Sequence, residues 1–318
     1  MIAATTTLRV HQRLQAWMDE RFPPANCAAA VLVWAAALVW GRALSAGGPV
    51  TFRLRDAPGG LAAIGFFLML RVLDEHKDYA ADCIAHPGRV LQRGLITLQH
   101  LKIVGIVAIA LQLGVSVLSD DGVVGPATTA WLVTFAWSLL MAKEFFVREW
   151  LRPRLVVYAL SHMLVMPLAV WWLVRLGAGN AALPASARML PVVSYLTGFA
   201  FEIARKQKAP ADERDDVDSY TRAFGTRRAP MILGAVLTAA CAGFAAMLSI
   251  AGAGWIRFAG DACIAAVLVA AWVALLRFRQ RPDSATAKAC EGVVGLAIAV
   301  NHLVLVLVII ASRGIAAG

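Results

Sequence analysis

An apolar run that ends in a row of acids decides the fold: residues 59–82 read GGLAAIGFFLMLRVLDEHKDYAAD. The first twelve positions hold no charged side chain, whereas the last twelve hold six. An apolar helix of about 20 residues crosses a hydrocarbon core of roughly 30 Å, because a helix rises about 1.5 Å per residue. The stretch therefore predicts a membrane-spanning helix over 59–77 with a charged end.

Similar apolar runs recur along the rest of the chain. Of its 318 residues, 60% are hydrophobic and only 16% are charged, and the mean hydropathy is +0.69, far above that of an ordinary soluble domain. We predict an all-α, polytopic membrane bundle of about nine transmembrane helices, with residues 1–318 forming a single integral-membrane domain. The predicted spans are 26–46, 59–77, 97–118, 126–146, 155–175, 187–205, 229–250, 259–277 and 291–312.

Basic residues predict the orientation. With the N-terminus in the cytoplasm, 23 of the 30 Lys and Arg residues fall on the cytoplasmic side, as the positive-inside rule requires. We predict a multi-pass protein of the inner (cytoplasmic) membrane whose C-terminus lies outside. The net charge of +10 is spread over loops, which argues against nucleic acid as a partner. The seven basic residues predicted outside are Arg42, Arg53, Arg55, Arg175, Arg188, Arg257 and Arg313.

Three carboxylates follow span two at steps of four residues: Asp74, Asp78 and Asp82. On a helix each step turns about 40° and rises roughly 6 Å, so these acids form one stripe of like charges that favours a bound cation. Oxygen ligands favour Mg²⁺ or Ca²⁺ over zinc, and Mg²⁺ typically takes one or two carboxylates plus phosphate oxygens of a substrate. The stripe thus predicts a phosphorylated substrate. The alternative is a solvated helix end on which Lys77 and His76 offset the acids.

A second charged cluster follows span six. Glu202 lies at the rim of this apolar span, where a carboxylate is costly and is a candidate functional group. Pro210 argues against one continuous helix and favours a loop or a new short helix. Beyond it, Asp212 and Asp216 repeat the four-residue spacing. The alternative is an ordinary solvated loop for all of these residues except Glu202.

Basic residues accompany both clusters. Arg89 and Arg93 could grip phosphate oxygens with two hydrogen bonds each, or could only anchor the loop on the positive side. Arg205, Lys206 and Lys208 could bind a diphosphate or the headgroups of anionic membrane lipids.

Spans four and five add polar residues on the same side. Lys143 ends span four and could help to hold a diphosphate, while Tyr158 and His162 lie one turn apart in span five and could line an acceptor pocket or stabilise a carbocation. The structural alternative pairs Lys143 with Glu144, and His162 with a backbone carbonyl or a hydroxyl group.

Taken together, the two clusters make the sequence resemble the UbiA-type intramembrane prenyltransferase superfamily. The first stripe matches the family's NxxxDxxxD motif except that Asp74 replaces Asn, and Arg89–Gly94 is similar to its RPLxxG segment. The second motif departs from the usual DxxxDxxxD, because Glu202 is followed four residues later by Lys206. The resemblance implies nine helices that hold Mg²⁺ and a diphosphate between spans two and six, with fewer metal ions here than is usual.

The resemblance implies a Mg²⁺-dependent transferase that moves a prenyl group from an allylic prenyl diphosphate to a hydrophobic acceptor, aromatic or from another lipid pathway. Two alternatives stay open at this point, a terpene cyclase of the same superfamily and a non-catalytic transporter or lipid-binding protein. The prenyl chain length, the acceptor and the oligomeric state are left open. The implied catalytic residues are Asp74, Asp78, Asp82 and Glu202, and the implied metal ligands are these four with Asp212 and Asp216.

Overall fold

Helices follow one another along nearly the whole chain in the computed structural model, which describes residues 9–45, 48–214 and 218–317. The apolar runs form helices because a helix satisfies its own backbone hydrogen bonds, which lipid cannot do. The helices are α1 (Val10–Arg21), α2 (Pro24–Ser45), α3 (Ala57–Ala85), α4 (Leu98–Ser119), α5 (Pro126–Ala142), α6 (Arg148–Leu151), α7 (Leu155–Met163), α8 (Val165–Ala178), α9 (Met189–Arg205), α10 (Tyr220–Ala251), α11 (Gly254–Gln280) and α12 (Ser284–Arg313), and the strands are β1 (Val50–Phe52) and β2 (Ile315–Ala317).

Each of the nine predicted spans coincides with one of these helices, or in the fifth case with the consecutive pair α7 and α8. In the described part of the chain, seven segments are long and apolar enough to cross a membrane, which confirms a multi-pass membrane protein. The helices α5 and α9 are shorter, with 17 residues each, so nine crossings stay a prediction.

The long helices form a closed ring. Each contacts the next along the chain, α12 returns to α2, and α2 also packs on α8. Two glycines allow α2 and α8 to approach closely: a Cβ atom on Gly177 would lie 2.6 Å from the carbonyl oxygen of Leu38, and one on Gly41 would lie 2.5 Å from that of Val174. Close backbone approach at small residues is a common way to pack helices in lipid.

The two ends of the bundle differ in chemistry. We call the end that carries Asp74, Asp78, Asp82 and Glu202 the acidic end. There α1 lies against the ring, with the Trp17 side chain fully buried in a small apolar cluster.

The other end, which we call the opposite end, carries a two-stranded parallel sheet. In it β1 pairs with β2, Val50 facing Ile315. This pairing ties the C-terminal segment to the link between α2 and α3.

The connection between α9 and α10 follows the break predicted at Pro210. A short 3₁₀ turn, Pro210–Asp212, lies between the two helices. The helix α10 begins at Tyr220, earlier than the predicted start at 229, because Ser219 caps it: its hydroxyl group accepts a hydrogen bond of 2.9 Å from the backbone N–H of Arg222.

Candidate active site

The acidic stripe lies along the end of α3, as predicted. Asp74 lies 3.9 Å from Arg71 and 3.7 Å from Lys77, and Asp78 lies 3.8 Å from Lys77. These ion contacts are longer than hydrogen bonds. The side chains of Asp74 and Asp78 are 42% and 40% exposed, so both carboxylates keep oxygen atoms that a ligand can reach.

Asp82 has closer partners. It accepts a hydrogen bond of 2.7 Å from Arg89 and lies 4.0 Å from Arg21, and only 17% of its side chain is exposed. Arg89 fastens the loop after α3 to the third acid of the stripe, and its contact with phosphate stays a prediction. Asp82 thus fixes the position of this loop, and its carboxylate is less available to a ligand than those of Asp74 and Asp78.

A fourth carboxylate on α3 is not part of the predicted stripe. Glu75 is 1% exposed, and one of its oxygens lies 2.5 Å from the Nε atom of Arg21 on α1. Its position next to Asp74 lies outside the four-residue repeat, and its partner is 54 residues away. Only the three-dimensional packing of α1 against α3 identifies this ion pair.

The second cluster centres on Glu202 at the end of α9. This carboxylate is 4% exposed and lies 2.5 Å from the nearer nitrogen of Arg205 and 2.8 Å from that of Lys206. Two cations on its own helix therefore neutralise Glu202. Lys206 stands where the UbiA-type motif has its second acid, and Glu202 stands where that motif has its first. In this chain the two residues form an ion pair.

The two clusters meet at Tyr158 on α7. Lys77 donates a hydrogen bond of 3.2 Å to the phenol oxygen of Tyr158, and its Nζ atom lies 5.9 Å from the centre of the ring. The Nζ atom of Lys206 lies 5.9 Å from the same ring centre, and Arg71 and Arg205 are close enough for their charges to interact. The charged ends of α3 and α9 thus lie close together beside α7.

Three aromatic rings, which we call the aromatic wall, lie beside these charged ends: Tyr158, His162 and Phe145. The rings of Tyr158 and His162 stack at 3.8 Å, and Phe145 meets His162 edge-on at 5.6 Å. The Nδ1 atom of His162 is 2.8 Å from the backbone carbonyl of Tyr158, as the structural alternative predicted. Its Nε2 atom is buried and has no hydrogen-bond partner among the described residues.

The chain turns sharply where α5 ends beside the wall. Glu144, Phe145 and Phe146 have φ angles of 47°, 54° and 60°, a left-handed conformation that is uncommon for residues other than glycine and that often marks a functional site. Glu144 is buried and lies 3.4 Å from Arg148, so its partner is not the predicted Lys143, which is exposed. Buried Glu144 and the Phe145 ring thereby join the site from α5.

The remaining predicted residues surround this centre at the same end of the bundle. Arg93 and Asp212 are exposed, and Lys208 is half-buried; the backbone N–H of Lys208 donates to the hydroxyl group of Thr221. Asp216 lies outside the described residues.

The carboxylates on α3 fit a metal ion, whereas the carboxylate at the end of α9 does not. Within the described ranges, no three His, Cys, Asp or Glu side chains form a group that could hold a metal, so the five predicted ligands that the structure describes do not form one metal-binding group. Asp74 and Asp78 fit a Mg²⁺ ion that takes one or two carboxylates and completes its shell with phosphate oxygens. Glu202 does not fit, because Arg205 and Lys206 already bind it.

The net charge of the site favours binding of an anion. Seven cationic side chains form ion pairs here with six carboxylates, so the cluster is slightly positive without any metal ion. The cations are Arg21, Arg71, Lys77, Arg89, Arg148, Arg205 and Lys206, and the carboxylates are Asp74, Glu75, Asp78, Asp82, Glu144 and Glu202.

Known structures share this architecture. A digeranylgeranylglyceryl phosphate synthase superposes with a TM-score of 0.64 at 15% sequence identity, covering 94% of this chain and 99% of that one. A UbiA homologue from Aeropyrum pernix K1 gives 0.60 at 18% identity over 84% of this chain and 96% of that one, and one from Archaeoglobus fulgidus gives 0.55 at 14% over 93% and 99%. The chain has the fold of UbiA homologues. No protein-family model and no curated protein sequence matches it.

Proposed function

We propose that this chain, built on the fold of UbiA homologues, transfers a prenyl group from an allylic prenyl diphosphate to a hydrophobic acceptor, aromatic or from another lipid pathway. The observation that supports the proposal is the meeting of the α3 and α9 clusters at Tyr158, where Lys77 and Lys206 flank one ring. This arrangement offers cations for a diphosphate beside an aromatic wall for the prenyl carbons.

The diphosphate binds between α3 and α9. Lys77 and Lys206 approach it from opposite helices, and Arg205, half of whose side chain is exposed, offers a planar guanidinium that suits phosphate oxygens. Exposed Lys143 and Arg93 add positive charge at the rim. When the diphosphate binds, Arg205 and Lys206 give up part of their ion pairing with Glu202 and contact the phosphate oxygens.

Asp74 and Asp78 would hold Mg²⁺, which when bound supplies positive charge for the departing diphosphate. The basic residues of α9 take the place of a second acidic motif, so they neutralise the far side of the same leaving group. We therefore expect this site to bind fewer Mg²⁺ ions than a site with two opposed acidic motifs.

The reaction breaks the bond between the allylic carbon and the diphosphate oxygen, and the oxygen keeps the electron pair. The wall of Tyr158, His162 and Phe145 excludes water and places electron-rich ring faces beside the allylic cation. An acceptor carbon or oxygen then donates an electron pair to the cation and loses a proton, which the released diphosphate can take. No protein nucleophile is needed.

The acidic end faces the cytoplasm in this proposal. Its loops collect the excess of Lys and Arg residues, as the positive-inside rule describes, and a water-soluble diphosphate is released to that side. The protein is then a multi-pass enzyme of the cytoplasmic membrane, with an N-terminus inside and a C-terminus outside.

The test uses the purified chain in lipid nanodiscs with radiolabelled prenyl diphosphates of several lengths. We expect diphosphate release with MgCl₂, little release with EDTA, and at least a tenfold loss in Asp78→Asn. The matched control is Asp121→Asn, an exposed aspartate at the opposite end, which should keep full activity. Absence of release from every chain length, or full activity in Asp78→Asn, would refute the proposal.

Product analysis distinguishes transfer from cyclisation. Mass spectrometry with and without candidate acceptors reports whether the prenyl group appears on the acceptor or as a free cyclic hydrocarbon. Uptake into sealed vesicles without diphosphate release would favour a transporter instead.

A further inference from the structure

A second candidate site lies at the opposite end of the bundle, away from the acids. A cavity of about 600 Å³ opens there between the ends of α2, α4 and α8 and the segment from β1 to the start of α3. Three of the seven basic residues predicted outside the membrane line this one cavity: Arg42, Arg53 and Arg55.

Arg42 connects the segments that form the cavity. It donates hydrogen bonds of 2.6 and 2.7 Å to the two carboxylate oxygens of Asp56 and one of 3.3 Å to the backbone carbonyl of Gly177, and it also bonds to the backbone carbonyl of Thr51. These bonds join β1, the start of α3 and the end of α8. The Arg42–Asp56 pair is internally neutral, so its charge is not available to a ligand.

Arg53 and Arg55 differ from Arg42 because their side chains are exposed. Neither has an ion pair within 4 Å among the described residues. The remaining acid of the cavity, Asp121, accepts a hydrogen bond of 3.3 Å from Asn180. The cavity therefore keeps one net positive charge on two exposed arginines, of which Arg55 also acts on the carboxylate of Asp56 through its charge.

The position of these arginines calls for an explanation. Basic residues are depleted from the outer loops of membrane proteins because they oppose the orientation of the chain. Two exposed arginines beside one cavity, on the side predicted to be outside, therefore point to a ligand.

The inner wall of the cavity is apolar. Trp34 and Leu38 of α2, Val115 and Leu118 of α4, and Leu176 of α8 line it below the arginines. A pocket with an apolar wall and a basic rim matches an amphiphile whose charged group faces water and whose chain enters the bilayer.

We propose that this cavity binds a phosphate-bearing anion, either the headgroup of a membrane lipid or a free phosphate ester, through Arg53 and Arg55. The planar guanidinium group makes paired hydrogen bonds to phosphate oxygens. The site is separate from the diphosphate site at the acidic end, and it does not depend on the activity proposed there.

The test compares the whole protein with its Arg53→Gln/Arg55→Gln variant in detergent. Binding of phosphatidylglycerol and phosphatidylcholine is measured by native mass spectrometry, and inorganic phosphate and glycerol 3-phosphate are tested as competitors. The matched control is Arg188→Gln, an exposed arginine at the same end that does not line this cavity.

We expect the wild-type protein and the control to bind phosphatidylglycerol with equal affinity, and the double variant to bind it about tenfold more weakly. Binding should also weaken as NaCl rises, because the arginines are exposed and screened. Competition by inorganic phosphate or glycerol 3-phosphate shows that the phosphate group alone is enough for binding, as for a free phosphate ester, whereas lack of competition shows that binding also needs the lipid chain. Equal affinity in wild type and double variant for every phosphate-bearing ligand, or loss of binding in the control alone, would overturn the proposal.

Discussion

Replacing Arg21 with alanine should destabilise the acidic end of the bundle through a single buried carboxylate. The side chain of Glu75 is 1% exposed, and Arg21, 18% exposed, lies 2.5 Å from it. Without the guanidinium, Glu75 loses its ion pair, and Arg71 remains as a nearby cation that interacts with it through its charge. Removing one partner of a fully buried ion pair costs about 3–5 kcal/mol.

The magnitude here should lie at or just below the lower end of that range. Water already reaches part of the Arg21 side chain, and the space left by its removal gives water access to Glu75, so we expect a loss of roughly 2–3 kcal/mol in the free energy of unfolding. In the double variant Arg21→Ala/Glu75→Gln the buried charge is gone. We expect the double variant to recover about 1–2 kcal/mol relative to Arg21→Ala.

The measurement is reversible unfolding in mixed micelles of dodecyl maltoside and SDS, followed by tryptophan fluorescence. Trp17 on α1 is fully buried and is one of the ten tryptophans that contribute to this signal. The matched control is Lys102→Ala, an exposed basic residue at the same end, which should change stability by less than about 0.5 kcal/mol. If Arg21→Ala costs no more than the control, or if the double variant recovers nothing, the buried ion pair does not stabilise the fold as argued.

Three further predictions concern the substrate site and the helix packing. Lys206→Ala should raise the KM for the prenyl diphosphate by roughly 10- to 100-fold, because hydrogen bonds to charged groups contribute about 1.5–3 kcal/mol; steady-state kinetics measure this. Tyr158→Phe should reduce kcat/KM by roughly three- to tenfold, because the ammonium group that donates to its hydroxyl loses its acceptor. Gly177→Ala should lower the stability of the bundle by about 1–3 kcal/mol, because its Cβ atom would lie 2.6 Å from a backbone oxygen of α2, as unfolding in mixed micelles would show.

Each of these has its own control. Lys206→Arg keeps the charge and should restore most of the affinity; a KM that is unchanged in Lys206→Ala removes this residue from the diphosphate site. For the tyrosine, Tyr195→Phe removes another phenol hydroxyl, one that donates to a backbone carbonyl, and equal effects of the two changes would argue against a special role for Tyr158. Gly114→Ala adds a methyl group where no atom lies within 4 Å, and the packing argument fails if it costs as much as Gly177→Ala.

Much of the fold was predictable because hydropathy is a local property. The apolar run before Asp74 and the charges after it place the end of α3 correctly, and Pro210 predicts the break after α9. The number of crossings was less certain, because α5 and α9 are short and hydropathy sets no sharp limit between a short span and a buried helix.

The location of the candidate site could be predicted from the sequence, but the ion pairs within it could not. The positive-inside rule and the spacing of acids placed both clusters at one end, and the structure brings them together at Tyr158. Arg89, in contrast, binds Asp82, and Glu144 binds Arg148 in place of Lys143. Spacing shows which residues share a helix face, but several cations compete for each acid, and packing selects one.

The sequence by itself determined three things: that this chain is a membrane protein, which segments form its helices, and which end of the bundle carries the acids. Each of them follows from the solvation of neighbouring residues. Only the tertiary structure decided that Arg21 neutralises Glu75 across 54 residues, that Lys77 meets Tyr158 across 81 residues, and that Arg53 and Arg55 line one cavity. These contacts join helices that are distant along the chain, and their energies depend on burial and distance, which a linear pattern does not contain.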